Sequence, residues 1–482
     1  MHFIVKFFPE MIVKSPPVRK RMARRLKQNV QRVLKGVDPS LKVIQDWEKI
    51  EVIVEGEDND VRDELIQRLS RTPGIVKFHE VVAAEFIDVD QAARFAHSHI
   101  GDKLEGKTFC VRVKRHGNHD FGSTDAERLI GSYLMLNANP LGVKLKQPDV
   151  QVSLEIKHDQ LFLLGEEWLG LGGYPLGEQD AVLSLISGGF DSSVASYLTT
   201  RRGLITHYLF FNLGGRAHEI GVKEVAHYLW ERYSQSHPVS FITVPFEPVV
   251  AEILQNIPKS YMGVALKRMM YRAADRLAKN YGYPALVLGE AVGQVSSQTL
   301  ANLRVIDSVT DALILRPLAT ANKNEIVEIS RQIGTEAFAA AMPEYCGVIS
   351  SHPTTNARAH IIEDAEASFD FSIVDRAIEQ HVREDIRDVL KTARAIPVDT
   401  YDQPKVGATI VDVRHPDEVM KQPLVIDGQS VEEIPYFRIQ KDFAEMNPKT
   451  TYLLYCDRGV MSRLHAELLI DSGYSNVAVY RP

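Results

Sequence analysis

The stretch Ser187–Ser193, with the sequence SGGFDSS, constrains the fold more than any other part of the chain. It directly follows a short apolar run at 181–186, which suits a buried parallel strand, and the residues after it suit a helix. Because glycine has no Cβ, Gly188 and Gly189 let the backbone approach a ligand closely. The N–H groups of the loop and of the first helical turn then converge on an anion, naturally a phosphate. We therefore predict a nucleotide-binding strand–loop–helix unit; a glycine-rich turn without a ligand is the alternative.

The residue pattern of this loop also indicates its chemistry. It lacks the Gly-Lys-Ser/Thr ending of a Walker A loop, which argues against ordinary hydrolysis between the β and γ phosphates. It resembles the pyrophosphate loop (PP-loop) of the ATP pyrophosphatase superfamily. Members of that superfamily split ATP into AMP and pyrophosphate while they adenylate an oxygen of the substrate. On this interpretation Asp191, beside the phosphates, holds Mg²⁺ or orients the attack on the α-phosphorus.

Composition bounds the class of protein. The 482 residues predict three or four domains, and 45% apolar and 25% charged residues are ordinary for a globular protein. Three scattered cysteines are too few for a disulfide framework, a zinc site or an iron–sulfur site. No stretch is long and apolar enough for a membrane helix, and Met1–Pro9 reads as a strand without the order of a signal peptide. We expect a cytoplasmic protein without a membrane partner; a basic transit peptide is the alternative for the first 35 residues.

Residues 1–80 predict a small α+β domain of the ferredoxin-like sort. The pattern predicts strands at 3–8, 50–54 and 75–79 and helices at 18–34 and 61–71. Residues 11–37 carry nine lysines and arginines and no acidic residue, although the net charge of the whole chain is −7. The first helix therefore has a buried stripe and a cationic face that includes Arg24 and Arg25. We expect this face to contact RNA or DNA; a solvated charged surface is the alternative.

Residues 81–166 predict a second small α+β unit. Its centre is the strand at 108–115, which places Phe109, Val111 and Val113 on one face and ends in a polar turn with Lys114 and Arg115. This pattern resembles a THUMP domain, an RNA-binding module of thiouridine synthases, RNA methyltransferases and pseudouridine synthases. The resemblance implies that Lys114 and Arg115 contact RNA; a solvated loop is the alternative.

Residues 167–395 begin with a glycine-rich break at 170–177 and then alternate strands with helices. Alternation of this kind predicts a doubly wound parallel sheet that binds ligands at the carboxyl ends of its strands. The polar segments 212–215, 289–291 and 294–299 all follow such ends. Residues 359–394 read as two charge-rich helical segments, and 396–404 as the connection to a further domain.

Residues 404–482 predict a small α/β domain built around Cys456. A strand at 452–455 leads straight into Cys456-Asp457-Arg458-Gly459 and then into a helix, and another strand ends in Asp412-x-Arg414. This resembles a rhodanese domain, in which a cysteine after a strand lies among backbone N–H groups at a helix start. Those donors and Arg458 lower a thiol pKa and stabilise the outer sulfur of a persulfide. The domain is short for the rhodanese family, which leaves open whether it folds alone.

Taken together, the four parts resemble the rhodanese-containing tRNA 4-thiouridine synthetases over the whole length of the chain. The resemblance implies that uridine eight of tRNA is adenylated on O4 by ATP with Mg²⁺, and that sulfur carried on Cys456 displaces AMP. It implies a Cys346–Cys456 disulfide that a reductant must reopen, a cysteine desulfurase as sulfur donor, and sulfur transfer to a sulfur-carrier protein for thiamine thiazole synthesis. Spacing alone does not choose Lys267 over Arg268, but the resemblance implies an ATP site lined by Leu185, Ile186, Ser187, Gly188, Gly189, Ser192, Lys267, Gly289 and Gln298.

Two other functions stay open on the sequence. The first is an RNA-binding sulfur-relay protein whose nucleotide site only gates conformation. The second is a 2-thiolating synthetase, or an ATP pyrophosphatase that acts on a small molecule. Two RNA-type modules and the lack of a glutaminase-type domain argue against a small-molecule substrate. The absence of Cys-x-x-Cys argues against an iron–sulfur 2-thiolase.

Overall fold

The computed structural model describes residues 1–45, 49–213, 215–342, 353–391, 398–405, 407–414, 416–426, 428–457 and 459–482. The chain divides into two compact units, residues 1–178 and 179–482. Among the described residues no helix is both long and apolar enough to cross a membrane.

The first unit contains one continuous eight-stranded sheet in the order β2-β3-β1-β4-β8-β7-β5-β6. Its helices form two separate apolar cores against the sheet, one around Leu26 and Phe78 and one around Phe109 and Leu134. The elements of this unit, in chain order, are β1 His2–Phe7, α1 Pro9–Ile12, α2 Pro16–Val33, β2 Lys42–Gln45, β3 Lys49–Ile53, α3 Asn59–Ser70, β4 Ile75–Glu85, α4 Val89–Leu104, β5 Thr108–His116, α5 Ser123–Asn137, β6 Gly142–Val143, β7 Val150–Lys157 and β8 Gln160–Leu169.

The long strand β4 joins the two small domains that were predicted at residues 1–80 and 81–166. The sequence predicts a strand only as far as His79, but β4 continues to Glu85 and pairs with β1 on one side and with β8 on the other. Strand β8 and helix α4 were not predicted. The two small domains therefore share their backbone hydrogen bonds, which sequence periodicity could not show because pairing between distant strands leaves no local signal.

The second unit begins with the predicted doubly wound sheet, in the order β13-β12-β9-β10-β11-β14. Strands β9 to β13 are parallel, and β9 and β12 are neighbours at the point where the strand order reverses. Ligands of such sheets bind outside the carboxyl ends of the strands at this point. The elements are β9 Ala181–Leu185, α6 Phe190–Arg201, β10 Ile205–Asn212, α7 Gly215–Tyr233, β11 Ser240–Pro245, α8 Glu247–Asn256, α9 Met262–Tyr281, β12 Ala285–Val287, α10 Leu300–Asp307, β13 Leu313–Leu315, α11 Lys323–Gln332, α12 Glu336–Ala341, α13 Ala359–Glu366, α14 Ser372–Glu379 and β14 Val382–Asp385.

The prediction for 359–394 is right for α13 and α14 and wrong for β14. Val382–Asp385 is an edge strand, antiparallel to β11, with Thr243 paired to Val382 and Ser240 to Asp385. Its charged sequence reads as helical surface because an edge strand with two polar residues in its centre shows little alternation. Only the open edge of β11 selects the strand conformation.

The second unit ends with the rhodanese-type domain, a five-stranded parallel sheet in the order β15-β19-β18-β16-β17. Short 3₁₀ turns at Ser296–Gln298 and Phe443–Glu445 complete this unit. The fold classes predicted from the sequence are confirmed. The elements of the domain are β15 Thr400–Tyr401, β16 Ala408–Asp412, α15 Pro416–Lys421, β17 Val431–Glu433, α16 Tyr436–Asp442, β18 Thr451–Tyr455, α17 Val460–Asp471 and β19 Val477–Tyr480.

Candidate nucleotide site and cysteine loop

The predicted PP-loop lies between β9 and α6 and is held by its own serines. Gly188 is buried and has a φ of +80°, which favours glycine, and Gly189 is the N-cap of α6. The backbone N–H of Ser187 donates to Ser192 Oγ at 3.1 Å, and Ser193 Oγ donates to the carbonyl of Gly189 at 2.9 Å. The first N–H groups of α6 have no acceptor within the helix, so they are available to an anion at this end.

Gly289 allows the end of β12 to pack directly against α6. A Cβ at this position would lie 2.5 Å from the carbonyl carbon of Asp191 and 2.6 Å from the N of Ser192. No side chain fits there, because real Cβ atoms essentially never come closer than 3.0 Å to another heavy atom. Gly289 therefore brings the end of β12 against the first turn of α6, beside the PP-loop, and its place in a nucleotide site remains a prediction.

Asp191 is held by two donors on neighbouring segments. Lys323 Nζ lies 2.8 Å from Asp191 Oδ1, and Gln294 Nε2 donates to Oδ2 at 2.8 Å. The ammonium of Lys323 also lies 5.2 Å from the centre of the Phe190 ring. Sequence reasoning missed Lys323. A signal was present, because a lysine in the first turn of a helix faces the positive end of the helix dipole and needs another reason to be there.

Magnesium at this loop would depend on phosphate oxygens. Among the described residues, no group of three or more His, Cys, Asp or Glu side chains could hold a metal. Mg²⁺ often binds through one or two carboxylates together with the phosphates of a substrate, and Asp191 is the carboxylate that the PP-loop offers. The donor set therefore fits a magnesium ion that arrives with a nucleotide.

Lys267 belongs to a buried charge cluster centred on Glu290. Lys267 Nζ lies 2.6 Å from Glu290 Oε1, and Tyr271 and Arg316 each donate to Oε2 at 2.8 Å. Burial alone would raise the pKa of Glu290, but Lys267 and Arg316 outweigh it and hold the pKa below its usual value. The carboxylate stays charged, so it fixes the position of Lys267 at the end of the crevice.

Arg268, which the sequence could not distinguish from Lys267, is buried and connects helices. It is 2% exposed, binds Glu366 through two nitrogens at 2.6 and 2.8 Å, and donates to the carbonyl of Val305. It therefore ties α9 to α10 and α13. Gln298 is buried and accepts the N–H of Ala291 at 3.3 Å, which closes the 291–298 loop. Leu185 is partly buried and Ile186 is buried at the foot of the PP-loop.

Cys456 lies between β18 and α17, as predicted, and its thiol is free and buried. The N–H of Ser462 donates to Cys456 Sγ at 3.3 Å, and Ser462 Oγ lies 3.4 Å from the same sulfur. Gly459 begins the helix with a φ of +70°, and its N–H donates to the carbonyl of Cys456 at 3.1 Å. Ser462 was not singled out from the sequence. Arg458 lies outside the described residues.

The Asp412-x-Arg414 motif at the end of β16 contacts the loop that carries Cys456. Arg414 is buried, binds both carboxylate oxygens of Asp412, and donates to Asp457 at 3.0 Å. Tyr455 OH also donates to Asp457, at 2.9 Å, and burial together with this carboxylate raises the pKa of Tyr455 to about 12. The residue after the cysteine is therefore held from two sides, which fixes the path of the loop.

The predicted partner of Cys456 is Cys346. It lies outside the described residues, so the disulfide between the two remains a prediction. The chain before it is described as far as Met342. A methyl group at Gly188 would come 2.5 Å from Met342 Cε, so Met342 packs against the PP-loop.

The predicted RNA-contacting residues all lie in the first unit. On α2 the buried stripe is Met22, Ala23, Leu26, Asn29 and Val30, and on the other side Arg24 is exposed and Arg25 partly exposed. At the end of β5, Lys114 is exposed and Arg115 partly exposed. Both pairs are available to a polyanion, and their contact with RNA remains a prediction.

Family models match nearly the whole chain. They are the ThiI ferredoxin-like domain at residues 2–79, the THUMP domain at 84–164, the thiamine biosynthesis protein ThiI at 177–371 and the rhodanese-like domain at 398–481. A THUMP domain that is followed in the sequence by a PP-loop sheet and a rhodanese-type cysteine loop defines a multidomain sulfurtransferase.

Full-length relatives narrow this class to one family. The chain is 50% identical over 483 residues to the tRNA sulfurtransferase of Saccharophagus degradans, and 49% identical over 484 residues to that of Psychromonas ingrahamii. Each match covers 100% of both chains. The chain therefore belongs to the tRNA sulfurtransferase family.

Solved structures agree with this assignment. A crystal structure described as a 4-thiouridine synthetase–RNA complex with bound ATP matches with a TM-score of 0.70 and 25% identity, over 80% of this chain and 99% of that one. A protein of Pyrococcus horikoshii shares the fold over 69% of this chain, with a TM-score of 0.54 and 17% identity.

Proposed function

We propose that this chain makes 4-thiouridine at position eight of tRNA, using ATP to activate the uracil and a Cys456 persulfide as the sulfur source. One observation carries the proposal: a PP-loop with the Asp191–Lys323 pair and a cysteine held at a helix start by Ser462 occur in the same unit of the chain. The first suits adenylation and the second suits a persulfide. The family and the RNA- and ATP-bound relative support it.

In the first step, O4 of the uracil attacks the α-phosphorus of ATP, the N3 proton of the uracil is lost to solvent, and pyrophosphate leaves. The loop N–H groups and Lys323 stabilise the charge that moves onto the pyrophosphate. Asp191 would hold a Mg²⁺ ion that arrives with ATP, and the ion would neutralise phosphate charge. The Glu290 carboxylate keeps Lys267 in place. The product is an O4-adenylated uracil, in which AMP is a good leaving group.

In the second step, sulfur replaces AMP. A cysteine desulfurase transfers sulfur to Cys456, which becomes a persulfide. The outer sulfur either attacks C4 directly or is released as sulfide beside it, while the Cys346 thiolate attacks the inner sulfur. Either route expels AMP, leaves a Cys346–Cys456 disulfide and requires a dithiol reductant for the next turnover. Cys346 follows Met342 by four residues, a length of chain that reaches at most about 14 Å.

A mixture of unmodified tRNA, ATP, Mg²⁺, cysteine and a desulfurase tests this scheme. Wild-type, Cys346→Ser and Cys456→Ser proteins are compared for AMP formation and for 4-thiouridine in nucleoside digests. We expect thiolated tRNA from wild type only, with ATP binding retained in both variants. AMP without any thiolated base would favour a pyrophosphatase that acts on a small molecule or a sulfur-relay protein, and 2-thiouridine in place of 4-thiouridine would favour a 2-thiolating synthetase. RNA binding without RNA-stimulated pyrophosphate release would favour a sulfur-relay protein.

A further inference from the structure

Helix α7 packs against the PP-loop near its first turn. His218 Nε2 lies 3.4 Å from the carbonyl oxygen of Ser187. A methyl group at Gly188 would come within 3.3 Å of Val222 Cγ2. The position of α7 is therefore tied to that of the candidate nucleotide loop.

The same helix binds the rhodanese-type domain through a buried polar contact. Glu224 lies six residues after His218, about 9 Å further along the helix axis. Its Oε1 is 2.5 Å from Nε2 of His465 on α17, and the two residues are only 3% and 2% exposed. Nδ1 of His465 has no hydrogen-bond partner within the described part of the chain. Glu224 is thus the polar anchor of this imidazole.

Helix α17 also holds the sulfur. Ser462, whose N–H donates to Cys456 Sγ, lies three residues before His465 and is fully buried. A helix turn is rigid on this scale, so the contact that fixes His465 also fixes the N–H that positions the sulfur. Displacement of α17 along α7 would move Cys456 by the same amount.

Apolar contacts surround the polar pair. Ile220 of α7 clusters with Leu468 of α17 and with Leu390. The Tyr436 ring lies 5.5 Å from that of Phe338 and 6.0 Å from that of His465. Burial, with Glu224 nearby, raises the pKa of Tyr436 well above its usual value, so Tyr436 stays neutral. The pair is buried between α7 and α17, where removal of one partner would leave the other buried without compensation.

We propose that the Glu224–His465 contact is a positioning device that docks the rhodanese-type domain on α7 and aims the Cys456 sulfur at the nucleotide loop. Apolar contacts alone tolerate sliding, whereas one buried polar pair selects a single register. Sulfur transfer needs the reacting atoms in near contact, and a displacement of about 1 Å can lower a rate about 10²-fold. The proposal rests on the proposed function, because it concerns the delivery of that sulfur.

The test uses the full-length variants Glu224→Ala, His465→Ala and His465→Gln. Gln places its amide nitrogen near the former Nε2 and can still donate to Glu224, so it is the conservative rescue. We expect the two alanine variants to form AMP with tRNA and to accept a persulfide on Cys456 at wild-type rates. Their 4-thiouridine formation in a single turnover is expected to fall about 10- to 100-fold. His465→Gln is expected to keep most of the transfer rate.

Arg438→Ala is the matched control, because it removes an ion pair with Asp442 within one helix of the same domain. Hydrogen exchange gives a second measurement that does not depend on activity: exchange along α7 and α17 should rise in the alanine variants and not in the control. Wild-type transfer by the alanine variants, or an equal loss of persulfide loading, overturns the docking role. If wild type itself makes no 4-thiouridine, the proposed function fails, and unchanged exchange in Glu224→Ala then overturns the docking contact separately.

Discussion

Asp191 and Lys323 are paired across a crevice whose proposed ligand, ATP, is highly charged. Lys323 lies at the start of α11, where a cation gains nothing from the helix dipole. Its side chain is 48% exposed, and its ammonium contacts both the Asp191 carboxylate and the Phe190 ring. An exposed cation beside the loop N–H groups can therefore turn to phosphate without leaving a buried position. This freedom distinguishes Lys323 from Arg268, which is locked in the core.

The first prediction concerns Lys323→Met. We expect tRNA-dependent AMP formation to fall about 10²-fold, because one donor to the developing pyrophosphate charge is removed. Affinity for tRNA and the temperature of unfolding should stay within error of wild type, since the side chain is half exposed. Lys279→Met, at a lysine that is also mostly exposed and paired with Asp275, is the control. Equal AMP formation by the two variants would show that Lys323 takes no part in adenylation.

Strands β10 and β11 are joined by a histidine as well as by their backbones. The N–H of Ser240 donates to Nδ1 of His207 at 2.9 Å, and the imidazole stacks on Tyr283. Burial, with a smaller contribution from Arg383, lowers the pKa of His207 to about 4. A protonated imidazole could not accept the N–H of Ser240, so this hydrogen bond between β10 and β11 requires neutral His207.

The lowered pKa of His207 predicts that the stability of the folded chain depends on pH. The unfolded chain, with a histidine pKa near 6.5, binds a proton between about pH 6.5 and 4 that the folded chain does not. Stability therefore falls as the pH falls through this window, by about 3 kcal/mol at most. His207→Asn keeps an acceptor but cannot titrate, so its urea unfolding should lose less stability between pH 7 and 4. His360→Asn, at an exposed position, should follow wild type; identical curves for all three would contradict the prediction.

The cationic face of α2 leads us to expect an RNA affinity that depends on salt concentration. Arg24→Ala combined with Arg25→Ala should weaken tRNA binding and reduce the slope of log K against log salt by about one for each phosphate that is no longer neutralised. Replacement of Lys114 and Arg115 at the end of β5 should act in the same way. Filter binding at several salt concentrations measures both effects. The exposed Arg376→Ala on α14 is the control, and an unchanged slope in the α2 variant would show that this face is only solvated.

At the scale of the whole molecule, the proposed sites of activation and of sulfur carriage belong to different sheets. The PP-loop follows β9 of the six-stranded sheet, and Cys456 follows β18 of the five-stranded sheet. The sequence resemblance also implies a second use of the sulfur on Cys456, transfer to a sulfur-carrier protein, and this use remains a prediction. Transfer to a sulfur-carrier protein requires only that the persulfide be reached, not that ATP be bound.

This separation predicts that the two activities can be lost independently. Asp191→Ala should abolish 4-thiouridine formation and keep sulfur transfer from a desulfurase through Cys456 to a sulfur-carrier protein. Cys456→Ser should abolish both. Thiolated nucleoside and carrier-protein thiocarboxylate, the latter by mass spectrometry, measure the two products. A parallel loss of both products in Asp191→Ala would show that the two uses share the nucleotide site.

The sequence by itself determined the classes of fold and the two loops, because these depend on local chemistry. Gly188 needs a positive φ, and Cys456 needs a helix start after a strand; both requirements appear in a few consecutive residues. Periodicity likewise predicted α2 and the strands around the PP-loop. Lys267 came only from resemblance, since Arg268 has the same local signal.

Tertiary structure decided what depends on distant partners. Val382–Asp385 became a strand because β11 offered an open edge, and β4 continued to Glu85 because β8 lay beside it. Gly289 is required by the nearby backbone of Asp191, and Glu224 acquires its role from a histidine 241 residues away. Hydrogen bonds and close packing between distant segments carry no local periodic signal, so only the folded chain could show them.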